Sequence, residues 1–397
     1  VSKNTYLIPF ILITSLFFLW GFAISMLDIL NKHFQEALHI SKGESGLIQF
    51  VVYGAYFLVA LPAGYFINKY GYKKGIILGL LAYAFGGFLF YPAVISQDFY
   101  FFLFALFVIG CGLAILETVA NPYVSVLGPP EEAIKRLNLS QSFNGLGVIL
   151  GPLVGALILF KKNGNEDVDL NAIQTPYIVI GVIVLLIAVV FSRIKLPEIT
   201  TKKADQGQGD FPLYQQKHFT YGVIAQFFYV GAQAGVWGFF INFSTENSSG
   251  ISNRDAAFYL SGAMILFTAG RFISTFILKY IKSHQLLALY AFIAMLLIIV
   301  VILNLGMASI YALMLICFCM SIMFPTIFGL GIKDLGSSTK KAGSFMIMSI
   351  VGGAIIPPLM GFIADKTSTI VAFYVPGFCF LIIFLYALKG YRIRKIN

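Results

Sequence analysis

Phe99-Tyr-Phe-Phe-Leu-Phe-Ala-Leu-Phe-Val-Ile-Gly-Cys-Gly-Leu-Ala-Ile-Leu116 carries no charged side chain and then meets a carboxylate, Glu117. About 20 apolar residues in a helix cross the hydrocarbon layer of a bilayer, so this stretch predicts a membrane span with an acid near its middle. The same texture returns at Leu7–Leu27, at Ile178–Phe191 with its flanks, and at Leu286–Leu303. The whole chain agrees: 59% of its 397 residues are apolar, 11% are charged, and 40 are Phe. Soluble domains carry about 25% charged residues. One soluble core cannot hide this much apolar surface, and lipid is the natural solvent.

Outward from Phe99, the apolar runs predict twelve spans, at 6–30, 45–68, 74–94, 99–127, 138–160, 174–193, 218–243, 255–280, 285–304, 308–331, 341–364 and 370–388. The fold expected is an all-α polytopic membrane protein of 12 transmembrane helices in two pseudo-symmetric six-helix halves. The longest polar break, Lys195–Lys217, is rich in Lys, Asp, Gln and Gly and reads as a flexible linker. The expected units are therefore residues 1–194, a cytoplasmic linker at 195–217, and residues 218–397. Spacing supports the repeat. Pro122 and Gly128 close span four, and Pro325 and Gly331 close span ten; Gly147 and Pro152 of span five answer to Gly352 and Pro357 of span eleven. Parallel repeats of this kind place a substrate site near mid-membrane between the halves. Gly147, Gly151 and Gly155 recur every four residues, a spacing that lets helix backbones approach, and packing is their preferred reading.

Charge gives the sidedness. With the N-terminus inside, only Lys32, Lys42, Lys161, Lys162, Arg254 and Lys366 fall outside, and the other 21 of the 27 Lys and Arg fall inside. That bias predicts both termini in the cytoplasm of a multi-pass inner-membrane protein. The net charge of +10 sits in short turns between apolar runs, which argues against a nucleic-acid partner. Cys111, Cys317, Cys319 and Cys379 lie inside apolar runs with no His or carboxylate at ligand spacing, so neither metal nor disulfide is expected. The chain begins at Val1, which suggests that residues precede it, and its first apolar run is long enough to span.

Ionisable groups inside a membrane are costly, and each is a functional candidate. Of 17 acidic residues, two lie within apolar runs: Asp28 and Glu117. A carboxyl that exchanges its proton near neutral pH can couple transport to a proton; hydrogen-bonded packing is the bland alternative for Glu117. Asp28 has Lys32 four residues on, and an exposed helix pair competes with a functional role. Gln226, Tyr229, Gln233 and Trp237 share one face of span seven, and Asn138, Gln141 and Asn144 share one of span five. Amides with aromatic faces suit a neutral sugar or polyol, whereas interhelical hydrogen bonding is the alternative. Trp20 and Trp237, the chain's two tryptophans, open the two halves and suit stacking in a central cavity. His33, His39, His218 and His284 read as solvated loop residues. Asn242-Phe-Ser and Asn247-Ser-Ser are weak glycosylation matches. No nucleotide loop, nucleophile elbow or metal cluster appears, so neither an enzyme nor an ATP-driven pump is expected, and no cofactor.

The turn Gly64-Tyr-Phe-Ile-Asn-Lys-Tyr-Gly71-Tyr-Lys-Lys74 resembles the signature loop of the major facilitator superfamily, with Asn68 at the usual Asp. Phe17-Phe-Leu-Trp-Gly21, Leu116-Glu-Thr-Val-Ala-Asn-Pro-Tyr123 with Val126-Leu-Gly-Pro129, Arg136-Leu-Asn-Leu-Ser-Gln-Ser-Phe-Asn144 and Phe324-Pro-Thr-Ile-Phe-Gly-Leu-Gly-Ile-Lys333 are similar to the fucose:proton symporter family within it. The resemblance covers nearly the whole chain. It implies proton-coupling carboxyls at Asp28 and Glu117. It also implies a sugar cavity that takes in Trp20, Glu117, Asn121, Gln141, Asn144 and Trp237, to which the polar stripe adds Gln226, Tyr229 and Gln233. Glucose/galactose relatives tend to carry Gln where Glu117 stands, so the resemblance favours the proton-coupled branch. Two departures, Ile24-Ser-Met-Leu27 before the helix-one Asp and Phe324 before the helix-ten Pro, remove hydrogen-bond donors and bear on which sugar is taken. The expectation is a monomeric proton–monosaccharide symporter, L-fucose first. A sodium-coupled or uncoupled glucose/galactose-type sugar transporter is the alternative, ahead of a drug or metabolite exporter and a non-transporting sugar sensor.

Overall fold

A computed structural model of the chain describes residues 7–126, 133–159, 170–194, 213–248, 250–333, 335 and 339–392. Its first helices are α1 (Leu7–Ala37), a one-turn α2 (Lys42–Ser45), α3 (Leu47–Tyr70), α4 (Tyr72–Phe88), α5 (Phe90–Ser96), α6 (Phe99–Val126), α7 (Ala133–Val154) and α8 (Asn171–Arg193). There follow α9 (Lys217–Gly238), α10 (Phe240–Asn247), α11 (Asn253–Ile277), α12 (Ser283–Ile302), α13 (Met307–Met320) and α14 (Met323–Gly331). The last are α15 (Thr339–Met348), α16 (Gly352–Lys366), α17 (Thr369–Ala372) and α18 (Tyr374–Leu385). Among the described residues ten segments are long and apolar enough to cross a bilayer, and eleven if α9 and α10 form one broken span. α7 supplies the twelfth. Its charged start at Lys135 and Arg136 leaves an apolar stretch of only Phe143–Leu159, shorter than a usual span.

Several spans are broken where the sequence predicts continuity. α9 and α10 meet at a 45° bend, centred on Phe239, whose backbone leaves helical geometry. α7 runs past Pro152 into a π-turn at Gly155–Leu159. A helix-interior proline removes a hydrogen bond and crowds the preceding turn, and π-turns are one way a helix absorbs it. Between α3 and α4 the chain turns at Gly71, whose φ of 86° suits glycine and few other residues. Beyond that turn the Lys73 Nζ donates to the Ser192 carbonyl at 2.8 Å, capping the C-terminal end of α8. Two helix starts outside the apolar runs carry their own caps. Ser41 with Glu44 opens α2 and Ser252 with Asp255 opens α11, each as a reciprocal capping box.

The chain divides into two compact units. The first holds residues 1–40 and 54–201, and the second holds 41–53 and 202–397. In the first, α1 packs along α7, α4 against α6 and α8, and α1 more lightly against α6. In the second, α9 packs along α16, α12 against α13 and α18, and α9 against α14. Numbered as spans, these are the same pairings in each unit: one with five, three with four and six, one with four. The internal repeat is therefore visible in the packing as well as in the proline and glycine spacing. The second unit also claims a short piece from early in the chain. Ser41–Tyr53, comprising α2 and the start of α3, packs with α16, while the rest of α3 belongs to the first unit.

Candidate functional site

Close backbone approach holds α1 against α7, and it explains the glycine stripe. A Cβ at Gly147 would collide with the Phe18 carbonyl, one at Gly151 with the Ser25 hydroxyl, and one at Gly155 with Ile29. The packing reading of these glycines holds. Along the same seam the Thr14 and Ser140 hydroxyls lie 3.1 Å apart, and the Asn144 Nδ2 donates to the Phe17 carbonyl at 3.2 Å. Asn144 is buried, and one of its two amide protons is thus spent on span one. Gln141, one turn earlier, is half-buried. Trp20 is likewise half-buried and lies beside Phe17, with ring centroids 6.1 Å apart. The side chains of Asn121 and Asn138 lie outside the described residues, as does that of Asn68.

The two candidate carboxyls are the only acidic side chains that are buried among the described residues. Asp28 is 4% exposed and Glu117 is 8% exposed. Glu117 sits eighteen residues into the 28-residue α6, far from either end. Asp28 is deeper than the sequence suggested, because α1 continues to Ala37 and encloses Lys32 and His33 as well. The Asp28–Lys32 pair weighed from spacing does not form. Lys32 instead bridges to Glu36 at 3.2 Å, and no ion pair of Asp28 exists among the described residues. Two histidines also depart from expectation. His33 is fully buried, and His218 is buried with its Nε2 2.9 Å from the Lys333 carbonyl.

In the second unit the polar stripe of span seven is confined to α9, directly before its bend. Gln226 and Tyr229 are fully buried and Trp237 nearly so, whereas Gln233 is half-buried. The Tyr229 hydroxyl donates to the Met320 carbonyl at 3.0 Å, where α13 gives way to α14. Trp237 meets Phe267 edge-on at 5.1 Å, and the Arg271 guanidinium lies 4.7 Å from the far partner, the Phe267 ring. Neither polar atom of the Gln226 carboxamide has a hydrogen-bond partner among the described residues. Leaving a buried amide unpaired costs about 1–3 kcal/mol. Such a group is ready for a polar ligand in a way that Tyr229 is not. Arg271, counted from sequence among the inner loops, lies six residues inside α11. An intramembrane arginine is as costly as the carboxyls, and sequence reading passed over it because it stands so near a loop. Asn242 is fully buried and bonded to Glu246 at 3.3 Å, which rules out the first glycosylation match.

A second cluster lies within the second unit, where α2 meets α10, α16 and α17. The Lys42 Nζ donates to Glu246 at 2.8 Å and to the Thr369 hydroxyl at 3.1 Å, and Thr369 in turn donates to Glu246 at 2.6 Å. The Asp365 carboxylate accepts from the backbone N–H groups of both Lys42 and Gly43, at 2.9 and 2.6 Å. A Cβ at Gly361 would strike the Lys42 carbonyl, so the backbones here are in close contact. None of these partners is adjacent in sequence, and no motif points to them.

Among the described residues, ten or eleven long apolar helices and the shorter α7, in two units with matching internal packing and with carboxyls and amides inside their apolar runs, define a polytopic membrane protein of the transporter class. A sequence profile of the Major Facilitator Superfamily matches residues 11–350, and the chain belongs to that superfamily. It is 40% identical to the L-fucose-proton symporter of Escherichia coli (strain K12), over 97% of this chain and 94% of that one. It is 36% identical to the glucose/galactose transporter of Brucella abortus (strain 2308), over 98% and 95% respectively. The crystal structure of the E. coli fucose:proton symporter superposes with a TM-score of 0.72, covering 97% of this chain and 99% of that one.

Proposed function

We propose that the chain is a proton-coupled monosaccharide symporter of the cytoplasmic membrane, with L-fucose first among its substrates, working by alternating access. One observation supports the coupling: among the described residues Asp28 and Glu117 are the acids buried in apolar helices, where a carboxyl that exchanges its proton can couple transport. The relative with 40% identity, a fucose-proton symporter, supports the substrate class, and the amides of Gln141, Asn144, Gln226 and Gln233 supply donors and acceptors for sugar hydroxyls. Trp20 and Trp237 offer ring faces for the apolar side of the sugar. Glu117 binds sugar and proton, competitively or cooperatively, and Asp28 governs proton access or release. One proton crossing ~100 mV contributes about 2.3 kcal/mol to accumulation. The protein acts as a monomer with both termini in the cytoplasm and needs no cofactor.

The test is uptake of labelled L-fucose, D-glucose and D-galactose into proteoliposomes under an imposed pH gradient, with and without sodium. Fucose accumulation that follows the pH gradient and ignores sodium supports the reading. Accumulation that needs sodium, or equilibration of glucose and galactose without accumulation, moves the protein to the glucose/galactose-type reading that its 36%-identical relative favours.

A further inference from the structure

The face that the charge count assigns to the cytoplasm carries two adjoining cavities in the second unit. The larger, about 370 Å³, is lined by Lys282, Ser283, His284, Leu330, Lys333 and Tyr391. The smaller, about 200 Å³, is lined by Lys217, Tyr221, Lys389, Gly390 and Arg392. The consecutive residues Gly390, Tyr391 and Arg392 join them. Neither is lined by an acid, and the ion pairs among the described residues, Lys32 with Glu36 and Lys42 with Glu246, leave all five of these Lys and Arg side chains without a carboxylate. Loop lysines are ordinary on this face of a membrane protein, but here they are gathered around a shaped recess. The His284 ring stacks on Tyr391 with centroids 4.2 Å apart and planes 13° from parallel, which fixes the chain's end against the start of α12. α12 begins at Ser283 with no side-chain cap, and its first two residues, Ser283 and His284, line the larger cavity.

Five cations and an uncapped helix start are the chemistry of a phosphate site. The surroundings choose between a soluble phosphate and a lipid. The cavities stand at the ends of α9, α12, α14 and the last span, where hydrocarbon gives way to head groups. Tyr280 is 76% exposed and Tyr221 48% exposed beside them, with Leu385 and Leu388 also exposed. Tyrosines at this depth anchor to the interface, and basic recesses between span ends take anionic head groups. We propose that this recess binds the phosphate of an anionic phospholipid, with Lys282, Lys333 and Arg392 as its main contacts. The inference rests on the assigned sidedness but not on the substrate or the coupling ion.

Native mass spectrometry of the purified protein, titrated with phosphatidylglycerol against phosphatidylcholine, tests it. The wild type should retain phosphatidylglycerol selectively. A Lys282→Gln/Lys333→Gln/Arg392→Gln variant should lose affinity by about fivefold for each charge removed. Arg392→Gln alone, at the chain's end, gives the same reading if the triple variant does not fold. A variant with the same charge loss elsewhere on that face, Lys69→Gln/Lys73→Gln/Lys74→Gln, should retain the lipid. Equal loss in that control would show that surface charge alone attracts the lipid and would overturn the site. Full displacement by millimolar inorganic phosphate would overturn the lipid as its occupant. Because retention is read without transport, failure here is separable from failure of the symporter reading.

Discussion

At the scale of single residues, Glu117 and Asp28 carry the sharpest expectations. Glu117→Gln copies the protonated acid. It should still exchange sugar between two pools, and it should lose accumulation driven by a pH gradient; counterflow and concentrative uptake in the same vesicles distinguish the two. If Glu117→Gln still concentrates sugar under a proton gradient, this carboxyl is not the coupling group. Asp28→Asn should also impair gradient-driven uptake. Gln141 and Asn144 should separate. Gln141→Ala should weaken sugar binding by about 1–3 kcal/mol if its amide pairs with a buried hydroxyl. Asn144→Ala should weaken binding and also lower the thermal midpoint of the ligand-free protein, because its Nδ2 serves the Phe17 carbonyl. The two acids were legible in the sequence because a charge in an apolar run is conspicuous. What Asn144 donates to was not, since its partner lies 127 residues away. Arg271 was overlooked for a related reason: sequence marks a helix end only to within a few residues, and this arginine stands six residues from one.

Helices were legible as apolar runs, and their breaks were not. Span seven bends at Phe239 and span ten is interrupted between Met320 and Met323, yet hydropathy passes smoothly through both. A break of this kind depends on which carbonyls a neighbour can satisfy, as Tyr229 does for Met320, and that is a tertiary fact. The glycine stripe, by contrast, announced its seam, since only small residues allow such spacing. Gly151→Leu should therefore overpack α1 against α7. Its cost should exceed the roughly 1–3 kcal/mol of an ordinary overpacked core, because Ser25 and its backbone stand in the way. A sharp fall in folded yield and thermal midpoint in detergent would show it, and near-wild-type stability would return the stripe to coincidence. In the second unit, Asp365→Asn should loosen α2 by about 0.5–2 kcal/mol, the worth of a helix cap. Faster hydrogen exchange at the Lys42 and Gly43 amides is the measurement.

For the whole molecule, the count of charges along the chain predicts a sidedness, and thiol chemistry can check it. Cys317, Cys319 and Cys379 are buried and Cys111 is half-buried, all inside spans. A membrane-impermeant maleimide should label none of them in intact cells, whereas cysteines introduced at Ser2 and Asn397 should react only after the membrane is opened. Reaction of either terminus in intact cells would reverse the assignment. The same molecule holds one helix with divided allegiance. The opening residues of α3 group with the second unit and the remainder with the first, and the boundary falls at Gly54, where an added Cβ would meet nothing. Such a helix is a shared beam. The turn that leads into it, α2, is clasped by Glu246 and Asp365, and its own easiest point of flexure is a glycine that nothing braces.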